Sequence, residues 1–125
     1  MIRILIVADG KEPLAAFAKF LEDMEGLELD RAVSAGHGFD LLGRQDFSLV
    51  VVDEDLGDMS GLDFARKLVA QNPMTNCTVV SGLSPEAFHE ASEGLGLLVQ
   101  LTPSPNEAQA QKLVDQLQKI MGLVS

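Results

Sequence analysis

The chain has 125 residues and a mass of 13.4 kDa, with 46% hydrophobic and 22% charged residues, a size and composition typical of one folded domain rather than a disordered segment. Nineteen acidic residues against nine basic ones give a formal net charge of -10, which repels nucleic acid. Because no apolar run approaches the roughly 20 residues that span a bilayer and no secretory signal pattern is visible, we expect a single cytoplasmic domain over residues 1–125 that binds neither nucleic acid nor membrane.

Apolar residues switch repeatedly between strand-like and helical spacing along the chain. Strand-like runs cover residues 2–8, 27–33, 47–52, 77–81 and 97–101. Each run is followed by apolar residues at helical spacing, represented by Phe17, Phe39, Leu68, Phe88 and Leu117. Parallel strands need such helical crossovers between them. The pattern predicts an α/β fold of the flavodoxin-like, doubly wound (βα)5 type, with a five-stranded parallel sheet in the order 2-1-3-4-5.

Two helix starts carry clear local signals. Pro13 lies where the first turn of a helix tolerates a proline. Ser84 followed by Pro85 is an N-cap with proline at the first helical position. Phe88 and Leu95 belong to the apolar stripe of this fourth helix, which we therefore expect to extend as far as Leu95.

The cysteine and the histidines form no motif. Cys77 has no second cysteine with which to form a disulfide, and no nearby histidine supplies metal-site spacing. We expect Cys77 to be a small core residue on the fourth strand, and His37 and His89 to lie at the surface.

Acidic residues follow two of the most apolar strand-like runs. Asp9 comes directly after the first strand, while Asp53 and Asp55 lie at and just beyond the end of the third. The carboxyl ends of parallel strands meet at one edge of the sheet, where open α/β sheets bind ligands. Carboxylates this close raise each other's pKa unless a cation compensates, and Mg²⁺ suits such oxygen ligands. We expect Mg²⁺ at this edge; the alternative is that the acids are simply solvated, above all Asp55.

Two stretches resemble a known family. IRILIVADG resembles the first strand of bacterial response-regulator receiver domains, and FSLVVVDEDLGDMSGLDFARKL resembles their third strand, phosphorylation loop and following helix. The resemblance implies that Asp53 accepts a phosphoryl group from a histidine kinase. It also implies that Asp9, Asp53 and the backbone carbonyl of Asp55 hold Mg²⁺. At the end of the fourth strand, Ser81 falls on the switch position, whose hydroxyl hydrogen-bonds the phosphoryl group.

Three positions depart from the pattern of that family. Ala8 replaces the first acid of the strand-one pair, so the affinity for Mg²⁺ should be lower. The lysine that usually pairs with the phosphoryl oxygens falls on Thr102, if Pro103 is the proline that follows it, or on Pro103 itself by spacing. The aromatic switch position falls on Val99 or Gln100. We expect phosphorylation to couple more weakly to conformation than it does in a complete site.

These features support three functional hypotheses. The first is a signal-receiver domain of a two-component phosphorelay, not an enzyme, that accepts a phosphoryl group on Asp53 from a histidine kinase or phosphotransfer protein. The alternative is a pseudo-receiver that acts as a phosphorylation-independent interaction module. The third, a cofactor-binding enzyme on the same fold, is disfavoured because a flavin-phosphate site needs a loop rich in Ser, Thr and Gly after strand one, where residues 9–13 read DGKEP.

The resemblance also implies a contact surface, formed by helix four, strand five and helix five. Residues 68–111 contain no Lys or Arg, and the acidic residues of this surface are Glu86, Glu90, Glu93 and Glu107. We therefore expect the partner, a downstream protein or a linked output domain, to present a basic or apolar surface. The same face could also support a homodimer.

Overall fold

The computed structural model describes residues 2–9, 14–98 and 100–122. The expectations for Pro13 and Val99 concern residues outside these ranges. The strands are β1 (Ile2–Val7), β2 (Leu27–Ala32), β3 (Leu49–Val52) and β4 (Asn76–Val79). The helices are α1 (Ala15–Glu22), α2 (Ala35–Arg44), α3 (Gly61–Gln71), α4 (Pro85–Ala91) and α5 (Glu107–Ile120). Within the described ranges, no helix is long and apolar enough to cross a membrane.

The strands form one parallel sheet in the order β2-β1-β3-β4. Its register aligns the carboxyl ends of the central strands, since Val7 pairs with Val52 and Val52 pairs with Val79. The residues that follow these strands therefore emerge side by side at one edge, which is where the candidate site lies.

Helices cover both faces of the sheet, and β1 shows why. Ile4 and Ile6 pack in one core cluster with residues of α1 and α5, while Leu5 and Val7 pack in a second cluster with residues of α2, α3 and α4. Because successive side chains of a strand point to opposite faces, a strand buried on both faces must be apolar throughout. The predicted doubly wound α/β fold is confirmed.

Side-chain caps begin four of the helices. Ser34, Ser60, Ser84 and Asn106 each accept a hydrogen bond from the N–H three residues further on, at 3.0 to 3.2 Å. Each such cap is worth about 1 kcal/mol to the helix it begins. The predicted start of α4, with Ser84 as its N-cap, is confirmed.

The predicted extent of α4 is wrong, because the helix ends at Ala91. The hydroxyl of Ser92 donates to the Phe88 carbonyl at 2.7 Å, and Gly94 then adopts a φ of 83°. A left-handed glycine just beyond the last turn ends a helix. Leu95 still packs against the core, but from the turn that follows α4 rather than from the helix.

The predicted fifth strand is not formed as a strand in the described part of the chain. One isolated bridge joins Val80 to Leu101. The Leu98 N–H donates to the Cys77 carbonyl at 2.9 Å, and the Leu101 N–H donates to the Val79 carbonyl at 3.2 Å. The two donors are three residues apart, while their acceptors are two residues apart. The segment that contains the donors therefore has one residue more than a regular parallel pairing allows.

Side-chain packing gives the reason for this extra residue. Leu98 and Leu101 both pack in the cluster that contains α1 and α5. Residues an odd number apart point to opposite faces in a regular strand, so burying both leucines on one face requires the ladder to skip a residue. The apolar composition of residues 97–101 predicted a strand, but the spacing of its leucines prevents a regular one.

The expectations for the cysteine and the histidines are confirmed. Cys77 is buried on β4, where burial raises its pKa to about 12. His37 and His89 are exposed. His37 accepts the Val33 N–H on its Nδ1 at 3.2 Å, a contact within its own turn of the chain.

Candidate functional site

The acids predicted to converge do line one cleft. Asp9 follows β1, and Asp53 and Asp55 follow β3. Together they border a cleft of about 200 Å³, whose other lining residues are Glu54, Val80, Pro103 and Ser104. None of these seven residues is a lysine or an arginine, so the described wall of the cleft is anionic.

Main-chain contacts fix the position of Asp53. Its N–H donates to the Val7 carbonyl at 2.9 Å, which continues the pairing of β3 with β1 by one residue. The Gly61 N–H donates to the Glu54 carbonyl at 2.9 Å. A Cβ on Gly61 would lie only 2.2 Å from the Asp53 carbonyl oxygen, so α3 can begin this close to the site only with glycine there.

The environment of Asp53 disfavours its ionised form. Burial of the carboxyl is the largest cause and raises its pKa above the ordinary value, and the neighbouring charges of Asp9, Glu54 and Asp55 raise it further. The Glu54 N–H donates to Asp53 Oδ1 at 2.8 Å and acts in the opposite direction. A cation bound in the cleft would relieve this repulsion.

The Asp55 carboxylate is engaged in its own loop. Its Oδ1 accepts the Gly57 N–H at 2.9 Å, a turn typical of aspartate. Gly57 adopts a φ of 85°, a region that favours glycine. The Asp55 carboxylate is therefore engaged by a main-chain donor, and the role of its backbone carbonyl in holding a metal stays a prediction.

The donor set expected to hold Mg²⁺ in the cleft is small. Across residues 2–9, 14–98 and 100–122, no group of three or more His, Cys, Asp or Glu side chains is arranged to hold a metal. The expected set is smaller, with two carboxylates, Asp9 and Asp53, and one backbone carbonyl, and Mg²⁺ commonly completes such a set with water and phosphoryl oxygens.

Ser81 does not line the cleft that contains Asp53. It is buried, with 3% of its surface exposed, and its Oγ accepts the Leu83 N–H at 3.1 Å. It borders a second cavity of about 220 Å³. Glu54 and Val80 line both cavities, so the two cavities share part of their walls.

Two side chains without a predicted role hold the β4–α4 loop. Glu54 Oε2 accepts the Gly82 N–H at 2.6 Å. Gln100 Nε2 donates to the carbonyls of Ser81 and Leu83, at 3.0 and 2.9 Å. Glu54 is the middle residue of a run of three acids, and the sequence does not show which of the three makes a specific contact. The aligned ends of β3 and β4 bring Glu54 beside Gly82.

The residues at the expected lysine position face in different directions. Thr102 exchanges hydrogen bonds with the side chain of Gln109 on α5, at 2.9 and 3.2 Å. Pro103 and Ser104 line the cleft instead, and Ser104 adopts a φ of 55°.

Asp58 ties the loop after β3 to the start of α2. Its Oδ1 and Oδ2 accept the N–H groups of Ala35 and Gly36, at 3.0 and 3.2 Å. These hydrogen bonds lower the pKa of Asp58, since they favour the charged carboxylate. The sequence did not indicate this contact, because an aspartate in a loop gives no sign of which distant helix it caps.

Comparison with known proteins identifies relatives of this chain. Residues 4–104 match the family model described as the response regulator receiver domain. The chain is 38% identical over 82 residues to the alginate biosynthesis transcriptional regulatory protein AlgB of Pseudomonas putida, covering 66% of this chain and 18% of that protein. The same proportions hold for AlgB of Pseudomonas aeruginosa. The chain thus spans about a fifth of the length of these curated relatives.

Solved structures agree with the fold. A CheY-like response regulator receiver domain protein from Methanospirillum hungatei superposes with a TM-score of 0.82, at 26% identity and 99% coverage of both chains. The receiver domain of a Francisella response regulator superposes with a TM-score of 0.83, at 20% identity, covering 97% of this chain and 99% of that one. With its acid-lined cleft and its (βα) order, the chain belongs to the response regulator receiver domain family of two-component signalling.

Proposed function

We propose that this receiver domain accepts a phosphoryl group on Asp53. The observation that carries the proposal is the shared cleft of Asp9, Asp53 and Asp55 at the carboxyl ends of β1 and β3. The Asp53 carboxyl is half-buried there and its backbone is held by main-chain hydrogen bonds. A nucleophile fixed in this way needs little reorganisation before it reacts.

The proposed transfer moves a phosphoryl group from a phosphorylated donor to the Asp53 carboxylate. An Asp53 carboxylate oxygen forms a bond to phosphorus while the phosphorus–nitrogen bond of a phosphohistidine breaks, and the imidazole nitrogen keeps the electron pair. Bound Mg²⁺ supplies positive charge beside the phosphoryl oxygens. Asp9, Asp53 and the Asp55 carbonyl would hold it, with reduced affinity because Ala8 provides no carboxylate.

Incubation with acetyl phosphate and Mg²⁺ followed by intact-mass measurement tests this function. The wild-type chain should gain the mass of one phosphoryl group, and Asp53→Asn should gain none. Asp46→Asn removes the same charge from an exposed site outside the cleft and should behave as wild type. The absence of an adduct, or an adduct that persists in Asp53→Asn, would contradict phosphorylation at this residue.

A second candidate function is a phosphorylation-independent interaction module. It is favoured by the anionic lining of the cleft, where Pro103 and Ser104 lie near the expected position of a lysine. Neither side chain can supply the missing positive charge to a phosphoryl dianion. This candidate predicts that neither Asp53→Asn nor chelation of Mg²⁺ changes the Kd for a partner protein.

The proposed partners follow from the family and from the charge of the surface. A histidine kinase or phosphotransfer protein would supply the phosphoryl group, and a downstream protein or a linked output domain would receive the signal. Glu86, Glu90, Glu93 and Glu107 are all exposed on α4, the turn after it and α5. A partner with a basic surface should therefore bind more weakly as salt increases, whereas salt-independent binding would indicate an apolar contact.

A further inference from the structure

Glu54 connects the two sides of the candidate site. Its main chain belongs to the loop after β3, next to Asp53, while its Oε2 accepts the Gly82 N–H at 2.6 Å from the loop after β4. A hydrogen bond from a backbone N–H to a carboxylate is shorter and stronger than one between neutral groups. The contact therefore fixes the distance between the β3 and β4 loops.

Gly82 packs against one residue that lines the cleft containing Asp53. A Cβ on Gly82 would lie 3.6 Å from Pro103 Cγ, and Pro103 lines that cleft. The same Cβ would lie 3.6 and 3.9 Å from the two carboxylate oxygens of Glu54. The Glu54 carboxylate thus packs against the Gly82 backbone and accepts its N–H.

Other polar groups of this loop are also engaged within the chain. The Ser81 N–H donates to the Leu101 carbonyl at 2.9 Å, and the Ser81 hydroxyl accepts the Leu83 N–H. Gln100 donates to the carbonyls of Ser81 and Leu83. Internal hydrogen bonds therefore hold the loop in place.

We propose that Glu54 is a positioning residue whose carboxylate acts as a tethered anion. It holds the Gly82 N–H in the unphosphorylated chain, and it must leave that N–H before a phosphoryl group on Asp53 can use it. This inference rests on the proposed phosphorylation of Asp53. The Glu54 carboxylate then competes with the phosphoryl group for the Gly82 N–H, and this competition slows phosphorylation. The same contact keeps the β4–α4 loop in one position.

Three substitutions test the proposal, and the first readout needs no phosphoryl group. Glu54→Ala removes the acceptor, Glu54→Gln keeps an acceptor but removes the charge, and Glu25→Gln removes the same charge from an exposed turn residue. Amide hydrogen exchange measured by NMR without phosphodonor should rise about tenfold at Gly82 in Glu54→Ala. It should rise less in Glu54→Gln and stay unchanged in Glu25→Gln. Unchanged exchange at Gly82 in Glu54→Ala would overturn the contact.

The second readout is the rate of acyl-phosphate formation with acetyl phosphate and Mg²⁺. Glu54→Ala should be phosphorylated roughly fivefold to tenfold faster than wild type, because one charge-assisted hydrogen bond no longer competes. An equal or slower rate in Glu54→Ala, with wild type still phosphorylated on Asp53, would overturn the competition and leave the receiver function intact. The absence of an adduct in every variant would overturn both the competition and the proposed function.

Discussion

The two sides of the candidate site are held together by different kinds of contact. On the central side, Asp53 continues the main-chain ladder to Val7, and Gly61 brings α3 against the Asp53 carbonyl. On the edge side, the side chains of Glu54 and Gln100 hold the β4–α4 loop. Main-chain packing positions Asp53, whereas a few side chains position the β4–α4 loop. Substitutions should therefore move the edge side far more readily than the central side.

The largest expected effect concerns Cys77 on β4, whose carbonyl accepts the Leu98 N–H. Burial raises the pKa of its thiol from 9.0 to about 12, so the thiolate fraction at pH 8 falls roughly 1000-fold. Iodoacetamide should label native Cys77 only when the fold opens around it, and mass spectrometry measures the rate of this labelling. The pKa also makes this group a source of stability below pH 9, lost as pH rises towards 12. Labelling as fast as in the urea-unfolded chain would contradict the buried position.

The next effect breaks the central side. Gly61→Ala places a Cβ 2.2 Å from the Asp53 carbonyl oxygen, so α3 or the loop after β3 must move. We expect a loss of about 3 kcal/mol in the free energy of unfolding, measured by urea denaturation. Gly43→Ala on α2 is the matched control, since nothing lies within 4 Å of its added Cβ. It should stabilise the chain by about 0.5 to 1 kcal/mol, and equal effects of the two substitutions would refute the close approach.

A smaller effect loosens the edge side. Gln100→Ala removes two hydrogen bonds to the carbonyls of Ser81 and Leu83 and should cost about 1 kcal/mol of unfolding free energy. Cys77 should also be labelled faster in this variant. Gln111→Ala removes only an exposed contact to Asp115 within α5 and should cost less. If Gln100→Ala left both stability and labelling unchanged, the edge side would not depend on this side chain.

The smallest effect is a pH dependence at Asp58. Its pKa is lowered in the folded chain by the N–H groups of Ala35 and Gly36, so its contribution is present above the ordinary value of 3.8 and is lost as pH falls through the folded value. Asp58→Asn should therefore lower the urea midpoint at pH 7 more than at pH 3. Asp23→Asn, at an exposed residue, is the control. An identical change at both pH values would contradict the carboxylate's role as a cap.

Much of the fold followed from the sequence because its signals are local. The apolar runs at β1 and β3 and the Ser84 cap with Pro85 specify their elements within a few residues. The prediction of a regular fifth strand was wrong because Leu98 and Leu101 are buried on the same face of the sheet. The packing of α1 and α5, rather than the composition of the segment, decides which face they share.

The candidate site shows the same difference between features set by local signals and features set by distant contacts. The convergence of Asp9, Asp53 and Asp55 could be predicted, because parallel strands bring their carboxyl ends to one edge. The contact of Glu54 with Gly82 joins residues 28 positions apart, and it depends on a rotamer that no local pattern reveals. Phosphorylation of Asp53, the role of Ser81 and the binding of Mg²⁺ stay predictions.

The contacts of residues 102–104 bear on where a cation could be introduced into this receiver. The Thr102 hydroxyl lies against Gln109 on α5, whereas Pro103 and Ser104 border the cleft. A lysine scan that aims to place an ammonium group beside the acids should therefore extend beyond position 102 to positions 103 and 104.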